Sequence, residues 1–335
     1  MTTTTSEPTP AQSPIETSIL TRPPRSLWSN AWRRLTRNRL AMASIVYLCF
    51  LAIVAIAAPV IAKHPPQGPP TREILKAGKF RQAAWITTDK PGTTGSWDYP
   101  FGTDNSGRDV YSRLVYGTRV SLIVGFIPMF ATLLIGVSIG LVSGFLGGWV
   151  DNLLMRLTDI VFALPALLFF IVIQTAYGES ALGRAFNGLV LLFITLSIFN
   201  WSNVARLVRG QVLSLKEKEF VEAARALGIG RGRIIVRHIL PNTLGPIIVA
   251  GAFIVPGAII AEAVLSYLGI GIKPSTNLQN PFPTSWGDMI LSGNLSRVSQ
   301  PWMLIAPALA LASITIAFVA LGDGLRDAFD PRQQD

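Results

Sequence analysis

The sequence predicts an all-α polytopic membrane protein with six transmembrane helices and both termini on the cytosolic side. Three observations predict it. Half of the 335 residues are hydrophobic and only 14% are charged, whereas a soluble domain carries about a quarter charged residues. The apolar residues collect into long runs of membrane-spanning length. Arginines cluster beside those runs, as the positive-inside rule requires of cytosolic flanks. The net charge of +10 therefore fits a membrane partner and needs no nucleic acid. Cys49 is the single cysteine and sits in an apolar run, so neither an intramolecular disulfide nor a zinc site is available. His64 and His238 lie far apart in the chain and form no metal motif.

Residues 1–24, rich in Thr, Ser and Pro, read as a disordered cytosolic tail without the charged start and apolar core of a signal peptide. Residues 25–62 combine an interfacial segment with the first span. From Arg22 to Arg39 come Arg22, Arg25, Arg33, Arg34, Arg37 and Arg39 with no acid between them, and Trp28 and Trp32 are interleaved, a composition suited to the headgroup layer. Leu40–Ala62 is uncharged and long enough to cross about 30 Å of hydrocarbon. Residues 63–116 form an external loop that ends in a turn and an amphipathic helix, with Val110, Leu114 and Val115 on one side. Arg108 and Asp109 in that turn suit either a substrate or docking contact, with Asp104, or a local pair that fixes the loop.

Span two is read as Val120–Val142 and span three as Leu153–Gly178, with Arg156 and Asp159 three residues apart and able to pair. Span four is read as Ala185–Ala205, followed by Arg206 and Arg209. Span five is Thr243–Ala263, where Pro246 and Pro256 are expected to kink the helix. Val264–Pro301 is a second external segment, and span six is Trp302–Leu321. Residues 117–327 make the transmembrane core and 328–335 a cytosolic tail. Polar residues at membrane depth are few. Glu262, Gln174, Asn187 and Asn200 are the candidates to line a path or outer gate. For Glu262 a local pairing or capping role stands equally open. This scarcity argues against proton or sodium coupling, which needs several intramembrane charges.

Between spans four and five lies the longest charged run of the second half, residues 217–242. Phe220, Ala223, Ala224 and Leu227 recur at helical spacing on one face. Gly228 supplies a stop, Gly230 and Gly232 a turn, and Ile234, Ile235 and Ile239 begin a second apolar face ending at Pro241. The pattern alone allows a helix lying on lipid headgroups or a small-residue face seated in another protein's groove. The run resembles the EAA loop of ABC-importer permeases: Glu222, Ala223, Ala224, then Gly228, Leu240 and Pro241 occupy the motif positions, while His238 stands where the pattern has an aliphatic residue. Asp104, Gly107, Arg108, Asp109, Ser112, Arg113, Tyr116, Gly117, Arg119 and Ser121, the GGW stretch from Gly147, and LGDGLRDAFDPR from Leu321 resemble the C-type permeases of the dipeptide and oligopeptide group.

That resemblance implies a type I ABC-importer permease fold in a bacterial or archaeal cytoplasmic membrane, moving di- or oligopeptides. It implies a B-type permease partner, two cytosolic ABC ATPases and an external solute-binding protein, besides membrane lipid. No cofactor is expected on this chain, since no phosphate-cradling GxxxxGK[ST] motif occurs and ATP and Mg belong to the partner subunits. No catalytic constellation stands out, so a transport subunit rather than an enzyme is expected. Glu222, Ala223, Ala224, Arg225, Gly228, Leu240 and Pro241 would couple to the ATPase, with the two alanines as contact face. The same architecture moving nickel or oligosaccharides is the alternative, and a stand-alone channel or secondary transporter a more distant one.

Overall fold

The computed structural model describes residues 27–66, 80–89, 93–275, 277 and 280–330. The expected N-terminal tail, part of the loop over 65–99, and residues 331–335 lie outside the described residues. Every regular element described is helical, apart from isolated β-bridges between Ser96 and Tyr99 and between Thr103 and Asp109. In chain order the helices are α1 (Leu27–Arg37), α2 (Arg39–Ile61), α3 (Val110–Leu146), α4 (Gly148–Ala163), α5 (Ala166–Tyr177), the short α6 (Ala181–Arg184), α7 (Leu189–Leu215), α8 (Glu219–Ala226), α9 (Arg231–Ile234), α10 (Leu240–Tyr267), α11 (Trp286–Leu295) and α12 (Trp302–Phe329).

Five continuous helical stretches are long and apolar enough to cross a membrane, containing α2, α3, α7, α10 and α12. The pair α4 and α5 makes a sixth if counted as one span, but it bends by 83°. The third span expected over Leu153–Gly178 corresponds to this pair and is sharply bent. Leu164 and Pro165 break it, because Pro165 has no N–H and disfavours helical backbone at the residue before it; Leu164 is accordingly extended (φ −76°, ψ 134°). Other boundaries shift in one direction. The expected amphipathic helix near Val110 and span two are one helix of 37 residues, α3. The helix of span four runs on to Leu215, well past Ala205. Residues flanking each span keep helical hydrogen bonding where charged side chains reach water, so a hydropathy run underestimates helix length. α10 continues unbroken through Pro246 and Pro256. The expected Arg156–Asp159 pair does not form; Asp159 accepts instead from Arg206 at 2.8 Å, whose guanidinium covers the Phe162 ring.

The bundle is organised by α3 and α7, which run parallel. Gly136, Gly140 and Gly144 recur every four residues and put a bare backbone stripe along α3. A methyl group built at Gly136 would lie 2.6 Å from Val204 Cβ, one at Gly140 2.7 Å from Val208 Cβ, and one at Gly144 2.8 Å from Val212 Cβ. These three contacts, and that of the Gly136 methyl with the Trp201 carbonyl oxygen at 2.7 Å, are closer than non-bonded Cβ atoms approach. The stripe lets the helices approach closely where lipid removes the hydrophobic drive for association and packing has to supply it. α10 crosses α3 antiparallel nearer its start, with Gly125 under Val255 and Gly251 against Met129 and Leu133. α12 packs on α10 and α2, where Tyr47 and Ser313 hydroxyls meet at 2.6 Å.

These contacts fix two ends. At one, called the α8 end, lie α1, α8, the start of α10 and the last turn of α12. At the other, the α11 end, lie the start of α3, the end of α10, α11 and the loop over 80–103. That loop is strapped down: Gln300 Nε2 donates to the Arg81 carbonyl at 2.8 Å and Trp302 Nε1 to the Phe101 carbonyl at 2.9 Å. Gly140→Val is expected to destabilise the chain by about 1–3 kcal/mol or more through overpacking, read as a lowered unfolding temperature in detergent. Gly210→Ala, where nothing lies within 4 Å, is the control and should leave it unchanged.

Candidate functional site

At the α8 end the chain leaves α7 at Lys216, turns, and forms α8. Glu219 and Glu222 occupy its first turn and Arg225 its last, each sign placed to favour the helix dipole. The helix stops in a Schellman motif. Gly228 (φ +74°) adopts the left-handed backbone, its N–H donates to the Arg225 carbonyl at 2.9 Å, and the Ile229 N–H reaches back to Ala224 at 3.1 Å. The motif's apolar contact is present too, since Ala224 and Ile229 pack in one cluster with Val212, Val221, Ile234 and Ile239.

This packing corrects the expected contact face. Ala224 is 3% exposed and Val221 is fully buried, so both anchor α8 to the chain's own core. Ala223, Glu222 and Arg225 are exposed, and the apolar residues presented outward are Phe220 and Leu227, the latter 81% exposed. The helical periodicity of Phe220, Ala223, Ala224 and Leu227 is real, but the apolar arc extends through Val221, and the core takes one edge of it. The seat beneath is rigid. The Arg225 guanidinium lies over the Phe145 ring at 5.5 Å. Arg209 grips Asp151 through two bonds of 2.6 Å, and Ser143 donates to the same carboxylate, tying the end of α3 to α4 and α7.

The second helix of the run also differs from expectation. α9 passes through a π-turn, Ile235–Ile239, directly into α10, so Arg231–Tyr267 is one continuous helical stretch of 37 residues. The cause is Pro241. It lacks an N–H and its ring crowds the carbonyl four residues back, and the wider turn relieves the crowding. Leu240, half-buried, packs on the same core cluster, while Pro241 is exposed. The Asn242 amide donates to the His238 carbonyl at 2.7 Å.

At the α11 end a buried ion cluster takes the residues expected to dock a partner. Asp104 is fully buried and Asp109 is 3% exposed. Asp104 accepts from Arg108 at 2.8 Å and from Arg113 at 2.6 Å, and Arg113 continues to Asp288 of α11 at 2.6 Å and to Thr284 at 3.1 Å. Asp109 is the N-cap of α3, accepting from the Tyr111 and Ser112 amides at 3.2 and 3.1 Å. Arg108 and Asp109 therefore do not pair with each other, and neither carboxylate offers a surface for docking; the group is an internal clasp. Burial alone would raise the Asp104 carboxyl, but the Arg113 and Arg108 guanidinia offset this and hold it below the usual carboxylate range. Burial pushes the Asp109 carboxyl up against the lowering effect of its Ser112 bonds. Trp286, 1% exposed, completes the clasp by donating to the Leu114 carbonyl at 2.9 Å over the bare backbone of Gly117. Arg113 is the residue the sequence reading undervalued: inside a membrane-bound chain its neighbourhood is legible only once α11 is in place.

The intramembrane candidates are not brought together. Glu262 is fully buried on α10; Oε1 accepts from Ser266 at 2.6 Å while Oε2 has no hydrogen-bond partner among the described residues. Gln174 is buried on α5 with its amide nitrogen unpartnered. Asn187 lies within the candidate span Ala181–Leu215, as expected, but in the 3-10 turn before α7, with left-handed backbone (φ +61°) and its carbonyl accepting from the Lys273 amide at 3.1 Å. A separate cavity of about 370 Å³ opens between α5, α7 and α10. Its polar lining comes from Asn200 and Asn203, three apart on α7, beside Phe170, Phe199 and Ala261. Asn203 escaped the sequence reading because it sits beside charged Arg206 at the end of the apolar run.

Residues 136–335 match the family described as the binding-protein-dependent transport system inner membrane component, and residues 26–77 match the N-terminal TM domain of oligopeptide transport permease C. Among curated proteins the chain is 39% identical to the oligopeptide transport system permease protein OppC of Haemophilus influenzae over 92% of this chain and 90% of that protein. It is 38% identical to the dipeptide transport system permease protein DppC of Bacillus subtilis over 95% and 89%, and 37% identical to OppC of Escherichia coli K12 over 92% and 93%.

Asp104→Asn is expected to cost about 3–5 kcal/mol at neutral pH, because it leaves Arg113 short of a buried partner. A carboxyl held low in the folded state contributes stability above its unfolded value and loses it as pH falls through its folded value. The gap between variant and parent in thermal unfolding should therefore be full at pH 7 and narrow below about pH 4. A gap that stayed constant to low pH would refute the charge-based role.

Proposed function

Since the chain belongs to the binding-protein-dependent transport system inner membrane component family, we propose that it is the C-type permease subunit of an ATP-driven importer for di- or oligopeptides. The observation that carries this reading is α8, a short helix held on a rigid seat with Phe220, Ala223 and Leu227 facing outward at one end of a membrane bundle. A groove on a cytosolic ATPase receives that face. Glu222 and Arg225 bracket it, and Gly228 sets the turn that presents it. Leu240 and Pro241 join the loop to α10.

In this reading the α8 end is cytosolic. Its support is charge: Arg33, Arg34, Arg37, Arg39, Arg206, Arg209, Arg225, Arg231, Arg233 and Arg237 all gather there, which favours both termini inside. The α11 end then faces outward and receives a solute-binding protein, against the surface around the strapped loop rather than through buried Asp104 and Asp109. A homologous B-type permease completes the path, to which the Asn200 and Asn203 cavity opens. Glu262, Gln174 and Asn187 contribute polar groups near its outer end. The chain itself binds no cofactor; ATP and Mg act in two partner ATPases. The membrane is the cytoplasmic membrane of a bacterium or archaeon. Peptide as the cargo is supported by the names of the curated relatives.

The test is extraction from native membranes in mild detergent, followed by mass spectrometry of co-purifying chains. A second permease and ATPase subunits in near-equal amounts are expected; recovery of the chain alone would refute the reading. Leu227→Asp is expected to leave the chain folded and inserted while lowering peptide uptake at least tenfold, because its side chain is 81% exposed here. Gly228→Asp should uncouple ATP hydrolysis from uptake, and normal uptake in that variant would count against the coupling role.

A further inference from the structure

The first helix carries a feature that transport does not use. α1 buries Ala31 and Leu35 against Ala41 and Ala328, the last turn of α12. Arg34 donates to the Asp330 carbonyl at 2.9 Å, and Trp28 meets Phe329 edge to face at 5.6 Å. That face is occupied by the chain itself. On the remaining surface Trp28 and Trp32, four apart, form one stripe, with Trp32 61% exposed. Arg33 and Arg37, also four apart, form a neighbouring stripe, both exposed, and Arg39 follows at the first residue of α2. Among the described residues no carboxylate forms an ion pair with Arg33, Arg37 or Arg39. α1 has no acid in its first turn and ends on arginines.

Because α2 enters the membrane at Arg39, these stripes lie at the level of lipid headgroups. Tryptophan settles at the boundary between headgroup and acyl chain, and arginine extends its guanidinium to the phosphates above. Three guanidinia without an ion-pair partner among the described residues favour a lipid of net negative charge over a zwitterionic one. We propose that Arg33, Arg37 and Arg39, with Trp32 beside them, form a binding site for an anionic phospholipid headgroup, and that the bound lipid holds α1 against the end of α12. A guanidinium also forms paired hydrogen bonds to phosphate oxygens that a zwitterion's own ammonium would contest. The site belongs to the face of α1 opposite its packed edge, so occupancy leaves the Ala31, Leu35 and Ala328 contact intact.

The test is native mass spectrometry of the purified full chain titrated with phosphatidylglycerol and with phosphatidylcholine. The parent is expected to prefer phosphatidylglycerol by on the order of a hundredfold, from the usual contribution of a basic residue at a membrane surface taken three times. R33Q/R37Q/R39Q should bring the two lipids within about threefold, and R33K/R37K/R39K should keep most of the preference. R231Q/R233Q/R237Q, which removes three exposed arginines from α9 and the π-turn, is the charge-matched control and should keep it as well. A preference that survives the α1 glutamine variant, vanishes in the lysine variant, or falls equally in the control overturns the proposal. If the triple glutamine variant is not recovered folded, R33Q and R37Q singly should each lower the preference about fivefold, and no change in either overturns it.

Discussion

The rest of the bundle depends on the close approach of α3 and α7 along Gly136, Gly140 and Gly144. In lipid the exclusion of water no longer draws helices together, so contact distance decides how much packing can contribute. With Val204, Val208 and Val212 lying directly on backbone, each valine finds neighbours that a side chain at the glycine would have displaced. Two parallel helices of this length require the chain to recross between them, and α4 with α5 makes that return. The ends of the pair then become platforms: Phe145 and Val212 carry α8 at one, and the first turn of α3 carries Arg113 at the other.

The two platforms are built from different chemistry. The α8 end is an apolar cluster secured at its edge by the bidentate Arg209–Asp151 contact, half open to solvent. Such a surface can be approached by a partner without uncovering charge. The α11 end buries two carboxylates around Arg113, each within 2.6 Å. A buried pair of this kind adds little net stability but makes its own disruption costly. It therefore specifies one register between α3 and α11, where Trp286 and Gly117 already interlock. α10 connects these unlike regions, passing from the core under α8 to Glu262 and Ser266 beneath α11.

Most of this architecture was legible in residue pattern. Apolar runs and flanking arginines located the helices, and Gly228 marked a helix stop whose hydrogen bonds follow from left-handed glycine. Three things escaped a linear reading. The break at Leu164 and Pro165 interrupts no hydropathy run, because its residues are themselves apolar. Ala224 and Ala223 are neighbours in sequence with opposite exposure, and only the position of Val212 and Ile234 decides which turns inward. Arg113 and Asp288 lie far apart in the chain, so a cluster that neutralises them could not be seen from either. The glycine stripe was present in plain spacing, yet its meaning required knowing that α7, rather than lipid, lies across it.

The π-turn between α9 and α10 has a mechanical consequence. A helix of 28 residues is about 42 Å long at 1.5 Å per residue. A tilt of only about 5° about its foot displaces its far tip by about 4 Å, comparable to the width of a water molecule and enough to open or close an aperture. The π-turn sits at the foot of that helix, where the backbone ladder is already loosened by Pro241. The far end of the helix it leads into carries Glu262 and Ser266. A displacement at the foot of such a helix is thus magnified at its far end.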